Sequence, residues 1–267
     1  MEYEKIINMI KMNPAAIKTI DNPTYEMKMT AVKRDGLLIR YIDDPDSSLI
    51  YEAVSNNPRA IEFIDNPGYE LKEKAVENSW SNLKYIKNPD KNLVNLAINQ
   101  SGWAIQYVDN PSEEIQLAAV RKNYDALKYI KEPSERVQME AVKIKYDALR
   151  YIDEPSFNAE ILAVKTNEAA VSFIDNLNTY KMLEFLKTNI NVLKYIYKKV
   201  HSDEVIDSIK EVISQEDVDE KYVRDFINCS IIDNGSEIID MDKIRFIYDY
   251  GSMKAKRIAV DEKLKID

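Results

Sequence analysis

Prolines stand at positions 23, 45, 67, 89, 111, 133 and 155, each 22 residues after the last, and Leu177 takes the next place in register. A chain punctuated at a fixed step is built from one supersecondary unit used many times. Other positions keep the same step. A small apolar pair recurs at Ala31-Val32, Ala53-Val54, Ala75-Val76, Ala97-Ile98, Ala119-Val120, Ala141-Val142 and Ala163-Val164. An aromatic followed by Ile or Val recurs from Tyr41-Ile42 and Phe63-Ile64 through to Tyr195-Ile196. Counting back, Met1 falls at the proline place of a first unit, so the register covers nine units over residues 1–198.

The unit from Pro111 to Glu132 shows what the period encodes. Proline suits the first helical position, where its missing N–H would have no partner, and Asn110 before it reads as an N-cap. Glu113 and Glu114 then complement the dipole in the first turn, and Arg121 and Lys122 in the last. Ile115, Leu117, Ala119 and Val120 supply an apolar stripe for this helix A. Asn123 reads as a second cap, matched by Asn13, Asp35, Asn57, Ser79, Ser101, Asn167 and Asn189, with Lys145 the exception. Pro14 and Pro58 follow two of these caps. A shorter helix B is expected through Ala126, Leu127 and Ile130, on the concave side of the stack. Asp21, Asp43, Asp65, Asp109, Asp153 and Asp175 look like an acidic ladder, but they precede helix A and are expected to accept its free N–H groups.

A two-helix unit this small cannot bury its apolar face alone, so stacked neighbours must cover it. A leucine-rich repeat has a similar period but needs an L-x-x-L-x-L strand and an Asn ladder, which are absent. The fold expected is all-α: an α-solenoid of about nine two-helix units over residues 1–198, followed by a divergent acidic helical region over 199–267 that caps it. Ser202-Asp203-Glu204 starts the tail as a fresh helix. Ile244-Arg245-Phe246-Ile247 and Ala259-Val260 restore the repeat's two motifs with one residue inserted, as in a degenerate last unit with a polar outer face.

The run AVRKNYDALKYIKEPSERVQMEAVKIKYDALRYI, residues 119–152, resembles tandem short helical repeats of giant-virus, protist, bacterial and phage proteins, a family of domains of unknown function. The likeness lies in the period and in the Ala-Val and Leu-x-Tyr-Ile anchors, and it departs from that family in having only Gly36 and Gly102 between the two helices. It implies a scaffold and brings no catalytic residues. Helical repeats serve mostly as binding surfaces, and chains of viruses or mobile elements use such scaffolds to engage host proteins, as adaptors or inhibitors.

Charge and chemistry narrow the classes further. The formal charge is -9, yet residues 1–200 hold 27 basic against 29 acidic side chains, while residues 201–267 hold 10 against 17. The acidity belongs to the tail, which could mimic nucleic acid, and the near-neutral repeats argue against bulk nucleic-acid binding. No apolar run approaches the roughly 18 residues of a membrane span, and one cysteine with no signal-like N-terminus suits a cytoplasmic setting. His201 and Cys229 would be the pair for a nucleophilic enzyme, but a solvated histidine and an inert buried thiol are the simpler reading. DNGSEIIDMD from Asp233 lacks the Gly and Glu an EF-hand needs, so capping and loop residues are expected there. Neither a zinc cluster nor a phosphate loop is written in the chain, so no cofactor, metal or small-molecule substrate is expected.

What remains is the outward face of helix B. The column of Lys128 reads Lys18, Arg40, Glu62, Lys84, Gln106, Lys128, Arg150, Ser172 and Lys194, so six of nine entries are basic. Beside it stand Trp80, Trp103, Tyr124 and Tyr146 in consecutive units. Aromatics interleaved with Lys and Arg are the composition of protein-partner hot spots. The expected site is therefore a protein-binding face made of Trp80, Lys84, Trp103, Tyr124, Lys128, Tyr146 and Arg150. The alternative is nucleic-acid binding through the same columns. A structural reading competes with both: the rings would fill gaps between units and the cations pair with nearby acids, as Arg150 with Asp153.

Overall fold

The computed structural model describes residues 2–264. Met1, to which the register assigns a proline's place, lies outside the described residues, as do residues 265–267 of the tail. By contacts the chain divides into two compact units, Met1–Glu132 and Pro133–Asp267.

The first unit carries six α-helices: α1 (Glu2–Met12), α2 (Tyr25–Arg34), α3 (Ser47–Asn56), α4 (Tyr69–Asn78), α5 (Lys91–Gln100) and α6 (Glu113–Lys122). A 3₁₀ helix comes after each: Pro14–Thr19, Gly36–Tyr41, Pro58–Phe63, Trp80–Tyr85, Gly102–Tyr107 and Tyr124–Tyr129. In these six repeats the second helix is therefore not an α-helix. Ala126 N–H donates to the Asn123 carbonyl and Ile130 N–H to the Leu127 carbonyl, both at 2.9 Å and both spanning three residues. With only six residues to return the chain, the 3₁₀ form covers more distance, rising about 2.0 Å per residue.

The punctuation also works differently from the expectation. Helix α6 starts at Glu113, with Ser112 at the N-cap, so Pro111 precedes the cap and does not occupy the first helical position. In most repeats the residue after the proline caps helix A: the side chains of Thr24, Asp46, Asp90 and Ser156 each accept a helix N–H. Asn110 and its mates Asn22, Asp44, Asn66 and Asn88 take φ between 45° and 51°. A residue before proline is barred from the right-handed helical region, and Asn and Asp tolerate the left-handed one best. Asx-Pro is thus a turn, and capping passes to the next residue. The second cap stands as expected at Asp35, Asn57, Ser101, Asn167 and Asn189, whose side chains accept an N–H of the 3₁₀ helix they precede, whereas those of Asn13, Ser79 and Asn123 make no such bond. Pro14 and Pro58 do sit at the start of their 3₁₀ helices.

Side chains clamp one repeat to the one before it. Asn56 Oδ1 accepts from Gly36 N–H at 2.8 Å while its Nδ2 donates to the Lys33 carbonyl. Gln100 does the same to Trp80 N–H and the Val76 carbonyl, and Asn123 Oδ1 accepts from Gly102 N–H at 2.9 Å. These clamps join backbone groups that the tight corners between helices would otherwise leave unpaired. Between them runs the core. Val32, Ile39, Leu49, Val54 and Ile61 pack as one cluster drawn from successive repeats, and each Ala of the Ala-Val pairs is fully buried where backbones meet.

The second unit continues with α7 (Glu135–Ile144), α8 (Phe157–Thr166) and α9 (Thr179–Thr188) and the 3₁₀ helices Tyr146–Tyr151, Glu168–Phe173 and Ile190–Val192. The last runs into α10 (Leu193–Ile196), and then come α11 (Ser202–Ile213), α12 (Glu220–Ile227), α13 (Lys243–Tyr250) and α14 (Met253–Lys263). Helix α11 starts at the expected Ser202, packs on α9 and buries Val205, Ile209 and Ile213; α12 packs on α14, joined by Arg224 to Glu262. The DNGSEIIDMD stretch forms a parallel pair of two-residue strands and a turn, with Asp242 capping α13 through Arg245 N–H. The fold is all-α apart from that pair, with consecutive helices packed as in a solenoid-like repeat.

Candidate functional site

Ala126, Leu127 and Ile130 are buried, so the 3₁₀ helix turns Lys128 and Tyr129 outward. Each mate of Lys128 in the register is likewise exposed, while the ring mates of Tyr129 range from exposed to half-buried. In the first unit this produces a stripe of cations lying on rings. Lys18 Nζ stands 4.5 Å from the centre of the Tyr41 ring, Lys84 Nζ 4.5 Å from that of Tyr85, and Arg40 covers both Tyr41 and Phe63. Each such pair contributes about 0.5–1 kcal/mol at an exposed site.

Around Trp103 the stripe is tied together. Trp103 is 37% exposed, and its Nε1–H donates to Asp125 Oδ1 at 2.8 Å. Asp125 Oδ2 lies 3.4 Å from Lys128 Nζ, which in turn stands 5.2 Å from the Trp103 ring centre and 5.0 Å from that of Tyr129. One carboxylate therefore fixes both an indole edge and an ammonium group. Desolvation would lower the Lys128 ammonium, but Asp125 and Tyr129 beside it outweigh that and hold it above its ordinary value. Tyr85 raises Lys84 in the same sense. Both lysines carry full charge at neutral pH.

Trp80 is half-buried and stacks on Tyr107 with ring centres 6.1 Å apart and planes at 26°. Beside this stack lies a depression of about 420 Å³ lined by Lys84, Lys87, Pro89, Tyr107 and Asp109, among others. Trp80, Lys84, Trp103 and Lys128 thus share one face of the first unit, with Tyr124 half-buried at the start of its 3₁₀ helix. In the second unit Tyr146 is half-buried and lies against Phe173 with centres 6.3 Å apart. Arg150 covers Phe173 at 4.8 Å and pairs with Asp147 at 3.4 Å. Its acid precedes it by three residues, so the expected pairing with Asp153 is not the one formed; Asp147 lies one 3₁₀ turn back on the same face.

Sequence reasoning missed Tyr107, Asp125 and the ring column of Tyr41, Tyr85 and Tyr129 as parts of this face. The signal was present, because each of those rings stands immediately after a member of the Lys128 column. Elsewhere, His201 stands at the N-cap of α11 with its backbone N–H on Glu204 Oε2 at 3.2 Å, and Cys229 is buried. Among the described residues no group of three or more metal-binding side chains is found, and no helix is long and apolar enough to cross a membrane. No protein-family model matches the chain, and neither a curated protein nor a solved structure matches it.

Proposed function

We propose that the chain is a non-catalytic repeat scaffold that binds a protein partner through the ring-and-cation face of its 3₁₀ helices, centred on Trp103 and Lys128. The observation that supports this most is Asp125, which holds the exposed Trp103 indole and the Lys128 ammonium in one arrangement. An aromatic and a cation fixed before contact lose little conformational entropy on binding, which is what a hot spot requires. The exposed Lys and Arg of the column favour a partner whose docking segment is acidic. In this role the protein acts as an adaptor or an inhibitor, and a host protein is the partner class that the repeat resemblance implies.

The test is affinity capture with the wild-type chain and with the Trp80→Ala, Trp103→Ala, Lys128→Glu triple variant. A protein held by the wild type and lost from the variant supports the reading, with each central residue expected to contribute about 2 kcal/mol or more. Equal retention by both chains refutes it.

A further inference from the structure

The second residue of each Ala-Val pair is sealed in the repeats: Val32, Val54, Val76, Val120, Val142 and Val164 are all 0% exposed. The 3₁₀ helix that comes after helix A packs back on it, as Tyr124–Tyr129 does on α6, and contributes to the cover, as Ile39 and Ile42 do in the cluster around Val32. Helix α14 carries the same pair at Ala259-Val260, and there Val260 is 58% exposed. Beside it α13 and α14 leave an open groove of about 330 Å³, lined by Ile244, Tyr248, Val260 and Leu264, with Lys256 and Lys263 the charged side chains of the lining among the described residues. Tyr248 is 73% exposed and Leu264 69%. The polar outer face expected of a last unit is not what this hairpin presents.

We propose that this groove is a second docking site, separate from the ring-and-cation face, and that its occupant is an amphipathic helical segment of a partner protein with acidic residues flanking its apolar ridge. Two observations select that occupant. The repeat register shows what covers this surface elsewhere in the chain: a short helical segment presenting Leu and Ile three residues apart, as Leu127 and Ile130 do. The lining then sets the charge, since among the described residues it holds two ammonium groups, Lys256 and Lys263, and no carboxylate. A helix laid apolar side down would place its flanking residues against these two ammonium groups. The groove's volume lies at the lower end of ligand-sized cavities, enough for a few side chains of one ridge and too small for a whole domain.

The probe is a synthetic 18-residue helical peptide with Leu at i, i+3, i+4 and i+7 and Glu on both flanks, titrated by fluorescence anisotropy against the full chain. Its counterpart keeps the leucines and replaces Glu by Lys. The Glu-flanked peptide is expected to bind saturably and the Lys-flanked one at least tenfold more weakly. Val260→Asp, at a position already open to solvent, should weaken binding at least tenfold with an unchanged circular dichroism spectrum, whereas Trp103→Ala should leave it unaltered. Absence of saturable binding, equal binding of both peptides, or indifference to Val260→Asp would overturn the proposal. So would a dimer of the chain, seen by sedimentation, that Val260→Asp dissolves, because the occupant would then be a second copy.

Discussion

Helices α6 and α14 carry the same apolar pair at their seventh and eighth residues, Ala119-Val120 and Ala259-Val260, and bury its valine to opposite extents. Val120 is inaccessible; Val260 is more than half exposed. The residues and the helical conformation are alike, so the difference comes from what packs against each helix: α5 and the 3₁₀ helices before and after it for α6, α12 and α13 for α14. After α6 a six-residue 3₁₀ helix turns back onto the stripe; the chain after Val260 forms no such helix among the described residues. Core membership in a repeat protein is thus a property of the neighbour, not of the motif.

The most severe way to break this comparison is to place a charge at both valines. Val120→Asp buries a carboxylate with no cation to meet it, and should lower the stability of the fold by about 3–5 kcal/mol. Val260→Asp leaves its charge in water and should change stability by less than about 0.5 kcal/mol. Urea denaturation monitored by circular dichroism measures both; similar midpoints for the two variants would mean that Val260 is covered in solution.

Less severe, but more local, is the close approach of backbones between repeats. A Cβ built on Gly102 would stand 2.2 Å from the Ala119 carbonyl oxygen, whereas one on Gly68 meets nothing within 4 Å. Gly102→Ala should therefore cost about 1–3 kcal/mol through forced separation of the two repeats. Gly68→Ala should cost less than about 1 kcal/mol, since alanine is a poorer N-cap than glycine and the lost freedom of the unfolded chain offsets part of that. The difference between the two urea midpoints reports how tightly the corners are packed.

The clamp at Asn123 ranks next. Asn123→Ala leaves the Gly102 N–H unpaired in a partly buried corner and should cost about 1–2 kcal/mol. Lys145 occupies the same place one repeat later, caps nothing and is half exposed. Lys145→Ala should shift the midpoint by less than the equivalent of about 0.5 kcal/mol. An equal loss in both variants would show that the clamp contributes nothing of its own.

How much of this is legible in the chain depends on which interactions have a period. The 22-residue step exposes the Ala-Val stripe, the second cap and the outward place of Lys128, because each repeats with the unit. The 3₁₀ form is not legible, since its residues, Tyr-Asp-Ala-Leu-Lys-Tyr, suit an α-helix by propensity and only the cramped return decides otherwise. The turn at Asn110 reads wrongly as a cap because Asn-Pro satisfies the rule for a cap as well as the rule for a left-handed corner; the hydroxyl and carboxylate residues after the prolines are the sign that separates the two. The Trp80–Tyr107 stack joins positions 27 residues apart, which no fixed-step comparison pairs. The candidate face is therefore only partly readable: its columns are periodic, and its contacts between columns are not.

The last expected effect is a modest gain. Gly68 is the N-cap of α4 and offers no side chain, while its mates one repeat away on either side, Asp46 and Asp90, each accept a helix N–H at 2.9 Å. Its φ of -59° is open to any residue, and a Cβ there meets nothing within 4 Å. Gly68→Asp should therefore complete the cap through Leu71 N–H, set a negative charge against the helix dipole and restrict the unfolded chain, all in the same direction. The sum should be about 0.5–1 kcal/mol of added stability. The dipole share should shrink in high salt, so a urea midpoint raised at low salt, and raised less at high salt, separates the charge from the hydrogen bond. An unchanged midpoint in both would mean that Gly68 holds a backbone conformation the aspartate cannot share, and that this repeat differs from its neighbours in its turn as well as in its cap.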